Sequence, residues 1–327
     1  MNGDPRRRAA FAALSPTGRR VVYAFAAATA LFLLGALVRP GFLQLNNILT
    51  ILTVAMFVGL VAAGQSFVIL IGGIDLSVPW VLNAAAILLT TSSGGENARA
   101  AGALALTLGM GALIGVANGI GIAMLSVPAV VMTLAMNGIM EGLTLGFSGG
   151  MTCAACAAYA PPLVQSLAHG TFLGLPSALW LWLAVIALAS FLLQATVLGR
   201  ATYAIGTNLR ASELAGLRVR ATIIGLYGLS GLTASLAGIM LVGFGGQASL
   251  GMGEPYLFQS IAAVVIGGAS ILGGRGHYLG AVAGAICLVA LISVLLAMNM
   301  AEYGRSIIYG VIILVLLLLY GREAGES

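Results

Sequence analysis

The chain has 327 residues, of which 60% are hydrophobic and 7% charged, and a formal net charge of +5. Soluble domains carry about 25% charged residues, so a water-wetted surface cannot be built from this composition and a soluble fold is excluded. All 14 basic residues are Arg; without a Lys there is no Walker A ATPase site in the chain, and Arg scattered at the ends of apolar runs form no nucleic-acid patch.

Residues 1–20 hold Arg6, Arg7, Arg8, Arg19 and Arg20. No small-residue cleavage site follows a short apolar core, as a signal peptide requires, so this segment reads as a cytoplasmic tail before a first anchor helix. Apolar runs then fall near 21–38, 48–71, 77–93, 99–125, 128–147, 177–197, 221–243, 256–272, 277–298 and 304–320. A span needs about 20 apolar residues, and only helices or closed barrels satisfy the backbone in lipid. The runs are too continuous for the alternating strands of a barrel. The expected fold is all-α: a polytopic membrane bundle of about ten transmembrane or half-spanning helices, with 48–71 and 256–272 the candidates for half-spans. Residues 21–320 form a single transmembrane domain and 321–327 a cytoplasmic C-terminal tail. With both termini inside, eleven Arg fall on the inner side and three, Arg39, Arg99 and Arg305, on the outer side, as the positive-inside rule requires.

Two loops stand out. The outer one, 148–176, contains Gly149-Gly150, Pro161-Pro162 and Cys153-Ala-Ala-Cys156. The C-x-x-C pair lacks a thioredoxin-like setting or further metal ligands; its members read as small loop residues, with a local disulfide as the alternative. The inner loop, 198–220, carries four Arg. Within it Asn208 is placed to N-cap a helix over Leu209–Ala215 that Gly216 ends as C′. Two turns are not stable alone, so this helix is either docked on something or a solvated connector.

Phe67 to Leu76, with Gly72-Gly73, echoes Ala262 to Ile271, with Gly267-Gly268. Interrupted helices in internal repeats mark the substrate path of many transporters, although this match is short. Four-residue glycine spacings at Gly111/Gly115/Gly119, Gly142/Gly146 and Gly276/Gly280/Gly284 suit close helix packing. Polar residues at membrane depth are costly and point to pairing or function: Gln65, Asp75, Asn83, Asn118, Asn137, Glu141 and Gln194. Asp75 precedes Ser77 at the head of the 77–93 run, where it serves equally as a helix cap or in substrate contact. Asn118 and Asn137 suit either a polyhydroxylated solute or neighbouring helices. The two His, His169 and His277, lie in different loops, and no H-E-x-x-H helix exists.

Five stretches follow one another along the chain: Gly64-Gln65 through Gly72-Gly73-Ile74-Asp75-Leu76-Ser77-Val78; Asn118-Gly119 with Pro128 and Thr133-Leu134; Gly199-Arg200 through Tyr203 to Asn208, then Ala215-Gly216-Leu217; Leu229-Ser230-Gly231-Leu232 with Leu236-Ala237-Gly238; and Ile261 to Ser270, continuing to Gly273-Gly274-Arg275-Gly276. Together, in this order, they resemble the permease subunits of ribose-type ABC sugar importers. Pro79 stands where the family usually has Gly, and Glu141 where it commonly has Arg, which puts the substrate class in doubt.

The resemblance implies a permease without an ATPase site of its own, translocating a monosaccharide or related polyol across the bacterial inner membrane by alternating access. Its partners would be a cytoplasmic ABC ATPase that holds ATP and Mg, a periplasmic sugar-binding protein, and a second permease copy, identical or not; the chain itself would hold no cofactor or metal. The 198–220 loop then corresponds to the ATPase-coupling segment, with Asn208, Arg210, Glu213 and Gly216 as its key residues. The translocation path is expected near Gln65, Asp75, Asn118, Thr133 and Asn137. The rivals are an ion-gradient transporter using Asp75 or Glu141 and an intramembrane aspartyl protease; the latter needs a second intramembrane Asp, and the only other one is Asp4.

Overall fold

The computed structural model describes residues 16–150 and 159–301 and some positions between 303 and 311. Cys153, Cys156, residues 1–15, the C-terminal tail and most of the 304–320 run lie outside the described residues, while residues 16–20 of the expected N-terminal tail are helical. The chain forms α1 (Pro16–Val38), a 3-10 turn (Pro40–Leu43), α2 (Leu45–Leu70), α3 (Val78–Ser93), α4 (Asn97–Ala123), α5 (Ala129–Ser148), α6 (Pro162–His169), a hairpin of β1 (Thr171–Phe172) and β2 (Leu175–Pro176), α7 (Ser177–Ala195), α8 (Val197–Thr207), α9 (Leu209–Leu214), α10 (Val219–Gly245), α11 (Glu254–Ile266) and α12 (Tyr278–Ala297). Among the described residues seven helices are long and apolar enough to cross a membrane, and α3 and α11 are shorter apolar helices. This is a polytopic all-α membrane protein.

Helix α2 corrects one expectation. The 48–71 run is no half-span: it lies in an unbroken 26-residue helix. No Pro interrupts it, and its internal Gly59 and Gly64 are packed against Trp182 and against Ser230 with Thr233. The shorter elements are α3, with 16 residues, and α11, with 13. Pro79 sits in the first turn of α3, where its missing N–H has no helical acceptor to lose.

The bundle centres on α2 and α10, which are far more buried than α1 or α5. Helix α10 packs along α4 by backbone contact: Gly111 faces Gly231 and Ser235, Gly115 faces the Tyr227 carbonyl, and Gly119 faces Ile224. Gly267 on Gly280 and Gly284 on Ala263 do the same for α11 and α12. A side chain at these points would overlap backbone atoms, so the glycines let the helices approach and gain dispersion contacts. Gly142 and Gly146 differ, having open space beside them among the described residues.

Arg20 lies over Gly268, and α8 abuts the 270–276 segment. With the alternation of the helices, this gathers Arg19, Arg20, Arg200, Arg210, Arg218, Arg220 and Arg275 at one end, here the basic end. At the opposite end α6 covers the terminus of α10. Gly243 packs on Val164, and His169 Nε2 donates to the Phe244 carbonyl at 2.9 Å while its ring stacks on Phe244.

Candidate functional site

Helix α2 ends in a Schellman motif: Gly73 N–H donates to the Val68 carbonyl (3.0 Å) and Gly72 N–H to the Ile69 carbonyl (2.9 Å). Gly72 has φ +79°, a conformation that favours glycine. Helix α11 ends in the same way, with Ala269 N–H on Val264, Gly268 N–H on Val265, and Gly268 at φ +86°. The sequence echo is therefore a real likeness of two helix ends, one residue out of step: the left-handed glycine is the first of one pair and the second of the other.

These two ends meet. Gly274 N–H donates to the Leu70 carbonyl at 2.9 Å, and a Cβ on Gly273 would stand 2.8 Å from Gly72 N. Helix α8 closes the junction, because a Cβ on Gly206 would overlap the Leu70 carbonyl and Gly274 N. Three chain segments thus touch through backbone alone. Tyr203, also on α8, donates its hydroxyl to the Gly276 carbonyl at 2.9 Å.

The chain leaving this junction enters a buried polar knot. Asp75 Oδ1 accepts from Ser77 N–H (3.0 Å) and Ser77 Oγ (2.6 Å), and Oδ2 accepts from Ser230 Oγ (2.7 Å). Asn118 Nδ2 donates to Ser77 Oγ at 2.9 Å. Gln65 clamps the Asp75 backbone from both sides, its Nε2 donating to the carbonyl (2.7 Å) and its Oε1 accepting from the N–H (3.3 Å). Thr133 Oγ1 lies within reach of both the Ala129 carbonyl (2.9 Å) and the Ile74 carbonyl (3.3 Å). Gln65, Asn118 and Thr133 are 0% exposed and Asp75 1%. Among the described residues no cation pairs with Asp75; its two oxygens are engaged by the Ser77 and Ser230 hydroxyls and the Ser77 N–H, as a buried polar group requires.

Of the five residues expected near a path, the structure brings Gln65, Asp75, Asn118 and Thr133 together, joining α2, α4, α5 and α10 around the 71–77 loop. Asn137 stands apart, one turn along α5, with a buried Oδ1 that has no partner among the described residues. Glu141, a further turn on, is half-buried. Ser230 is the knot member that sequence reading passed over; its signal was a hydroxyl within the apolar α10, beside Thr233 and Ser235.

The inner loop has the local structure its sequence predicts. Asn208 Oδ1 accepts from Ala211 N–H at 2.9 Å, and Gly216, at φ +79°, ends α9 with Gly216 N–H on Glu213 (3.0 Å) and Leu217 N–H on Ser212 (3.1 Å). Arg210 and Glu213 form an exposed ion pair at 3.4 Å, and Leu214 is 80% exposed beside it. Exposed pairs of this kind add little stability, so their charges remain available to a docking partner.

These features define a polytopic permease with a capped surface helix seated on the membrane bundle. The family model described as "Branched-chain amino acid transport system / permease component" matches residues 47–316, and the chain belongs to this family, within which it is of the ribose type of ABC permeases. It is 35% identical to the ribose import permease protein RbsC of Escherichia coli (strain K12), covering 87% of this chain and 88% of the relative. It is 31% identical to RbsC of Haemophilus influenzae over 90% and 91%. It is 32% identical to the autoinducer 2 import system permease protein LsrC of Escherichia coli (strain K12 / DH10B) over 93% and 87%. No solved structure matches the chain.

Proposed function

We propose that this chain is the membrane subunit of an ATP-driven, binding-protein-dependent importer for a monosaccharide or related polyol. It works in the inner membrane beside a second permease copy, with the basic end in the cytoplasm. A separate ABC ATPase holds ATP and Mg and docks on α9 through Leu209, Arg210, Glu213 and Leu214; a periplasmic sugar-binding protein delivers solute at the opposite end. The observation that carries this reading is the continuity between surface and core: α9 follows α8, Gly206 of α8 bears on the α2 terminus, and that terminus runs into the Asp75 knot.

In this mechanism ATP-driven closure of the ATPases displaces α9 and α8. Because Gly206, Leu70 and Gly274 touch through backbone, with no flexible side chain between them, the displacement reaches the 71–77 loop undamped. The knot passes it to α4, α5 and α10, whose shift alternates access along a path beside Asn137. Gln65, Asp75, Asn118 and Thr133 then act as positioning residues at the edge of that path. Solute must differ in free energy between the two states for this motion to do transport work. Both Asp75 oxygens are engaged by Ser77 and Ser230, which leaves neither free to coordinate a transported cation.

Charge reversal tests the reading. In the importer reconstituted with its ATPase and binding protein, Arg210→Glu and Glu213→Arg should each cut D-ribose uptake at least tenfold while ATP hydrolysis by the ATPase persists. Normal uptake by both variants counts against α9 as the coupling element. Robust uphill accumulation by the isolated chain, driven by an ion gradient, counts against the importer.

A further inference from the structure

At the end opposite the Arg cluster, where α10 passes into α11, lies a cavity of about 480 Å³ between α2, α10, α11 and α12. We propose that it is a reception site for a neutral polyhydroxylated solute, a site on the delivery side separate from the Asp75 knot. The choice of sugar as solute rests on the importer reading above; the site itself does not.

Four polar side chains line the cavity: Gln247, Ser249, Tyr256 and Gln259. None of them makes a side-chain hydrogen bond among the described residues. Many polar groups elsewhere in the bundle are engaged, as Thr53 donates to Leu49, Ser235 to Gly231, and Gln65 to Asp75; the buried groups without a partner among the described residues, such as those of Asn83 and Asn137, do not line this cavity. Polar groups facing an apolar bundle without partners are costly, so water or a ligand must satisfy these four. Two amides and two hydroxyls supply both donors and acceptors. Among the described residues no charged side chain lines the cavity, which favours a neutral occupant over an anion or a cation. The remaining wall is apolar and includes Val58 and Phe244. A sugar ring, with hydroxyls at its rim and C–H groups on its faces, matches this division.

The wall is also held in place. Phe244 meets Phe57 edge-on at 5.4 Å and is stacked from behind by His169 at 4.9 Å, while His169 grips the Phe244 carbonyl. The cavity volume falls in the range of small-molecule sites, about 300–1,000 Å³. A lipid chain would fill the apolar part but leave four polar groups facing hydrocarbon, which disfavours it as the occupant.

The test uses the complete importer in spheroplasts, with Cys153, Cys156 and Cys287 replaced by Ser and Gln259→Cys introduced. A membrane-impermeant maleimide applied from outside should label the new thiol. Aldopentoses, aldohexoses or inositol at tens of millimolar should slow labelling at least threefold, with D-ribose as the first probe and potassium chloride at equal osmolarity as the control. A second variant, Gln259→Leu in the native cysteine background, should raise the apparent KM for uptake of the protecting sugar about tenfold. Three results overturn the site: no labelling, labelling indifferent to every sugar, or an unchanged KM in Gln259→Leu. If those occur while the native complex still imports sugar at the expense of ATP, the importer stands and the reception site falls. If sugars protect but no ATP-driven uptake exists, the site stands and the importer falls.

Discussion

The two ends of the molecule handle polarity in opposite ways. At the basic end, backbone meets backbone at Gly206, Leu70 and Gly274, and just inside it Asp75, Ser77, Ser230, Gln65 and Asn118 spend their hydrogen bonds on one another. At the opposite end Gln247, Ser249, Tyr256 and Gln259 face a cavity with none of theirs spent. A close-packed region whose groups bond chiefly to one another resists deformation and transmits displacement. A region with free donors and acceptors around a space is built to receive something. The same chain thus carries a stiff joint at one end and a receptive wall at the other, and each half of that contrast can be attacked separately.

The largest expected effect is at the joint. Gly206→Val places a branched side chain where even a Cβ overlaps the Leu70 carbonyl and Gly274 N, and neither backbone group can move without displacing α2 or the 270–276 segment. Overpacking of this kind costs about 1–3 kcal/mol, or more where the neighbour is backbone. Little folded complex should be recovered, read as loss of the monodisperse peak on size exclusion in detergent. Gly225→Ala, in α10 with open space around it, is the matched control and should be recovered normally. Equal recovery of both variants would mean that the joint is not close-packed.

The knot comes next. Asp75→Ala removes the acceptor of Ser77 N–H, Ser77 Oγ and Ser230 Oγ, and each buried donor left unpaired costs about 1–3 kcal/mol. Asp75→Asn keeps one oxygen, and the Ser230 hydroxyl can turn to accept from the new amide, so about 1 kcal/mol is expected. Thermal unfolding in detergent should therefore rank native, Asp75→Asn and Asp75→Ala in falling order, with Ser230→Ala near Asp75→Asn. An Asp75→Ala protein as stable as the native one would remove the knot from the account.

How far this contrast was legible in the sequence depends on what sets each feature. The caps of α9 were readable, because Asn at N-cap and Gly at C′ are local requirements that one side chain or one φ angle meets. The helical class and the spans were readable from hydrophobic length. The half-span expected at 48–71 was not borne out: the run lies in the unbroken helix Leu45–Leu70, which the Gly72-Gly73 pair follows. Asp75 could be flagged as a costly buried charge, but its partner Ser230 lies 155 residues away, and a hydroxyl in an apolar helix more often bonds its own backbone, as Thr233 does to Ser230. The cavity was least legible of all. Gln247, Ser249, Tyr256 and Gln259 sit in and around a loop where polar residues are ordinary, and only the folded chain shows that they face the same space.

The smallest predicted effect sharpens the basic end further, because one of its caps titrates. His277 Nδ1 accepts from Leu279 N–H at 2.9 Å at the start of α12, and its Nε2 meets the Gln194 side chain. Burial lowers the His277 pKa below its ordinary value, and a protonated imidazole cannot accept at Nδ1, so the cap exists only in the neutral form. The unfolded chain, with its His near pKa 6.5, takes up the proton at a higher pH than the folded one. The contribution of this cap is therefore fully present above about pH 6.5 and is lost as pH falls from there through the lower folded-state pKa. The loss should be of the size of a missing N-cap, about 1 kcal/mol. His277→Asn keeps a capping oxygen that does not titrate, so its unfolding temperature in detergent should fall less between pH 7.5 and pH 5.5 than that of the native protein. Parallel curves for the two proteins would show that the cap contributes no pH dependence, and that the basic end is held by its glycine contacts and the Asp75 knot without help from this histidine.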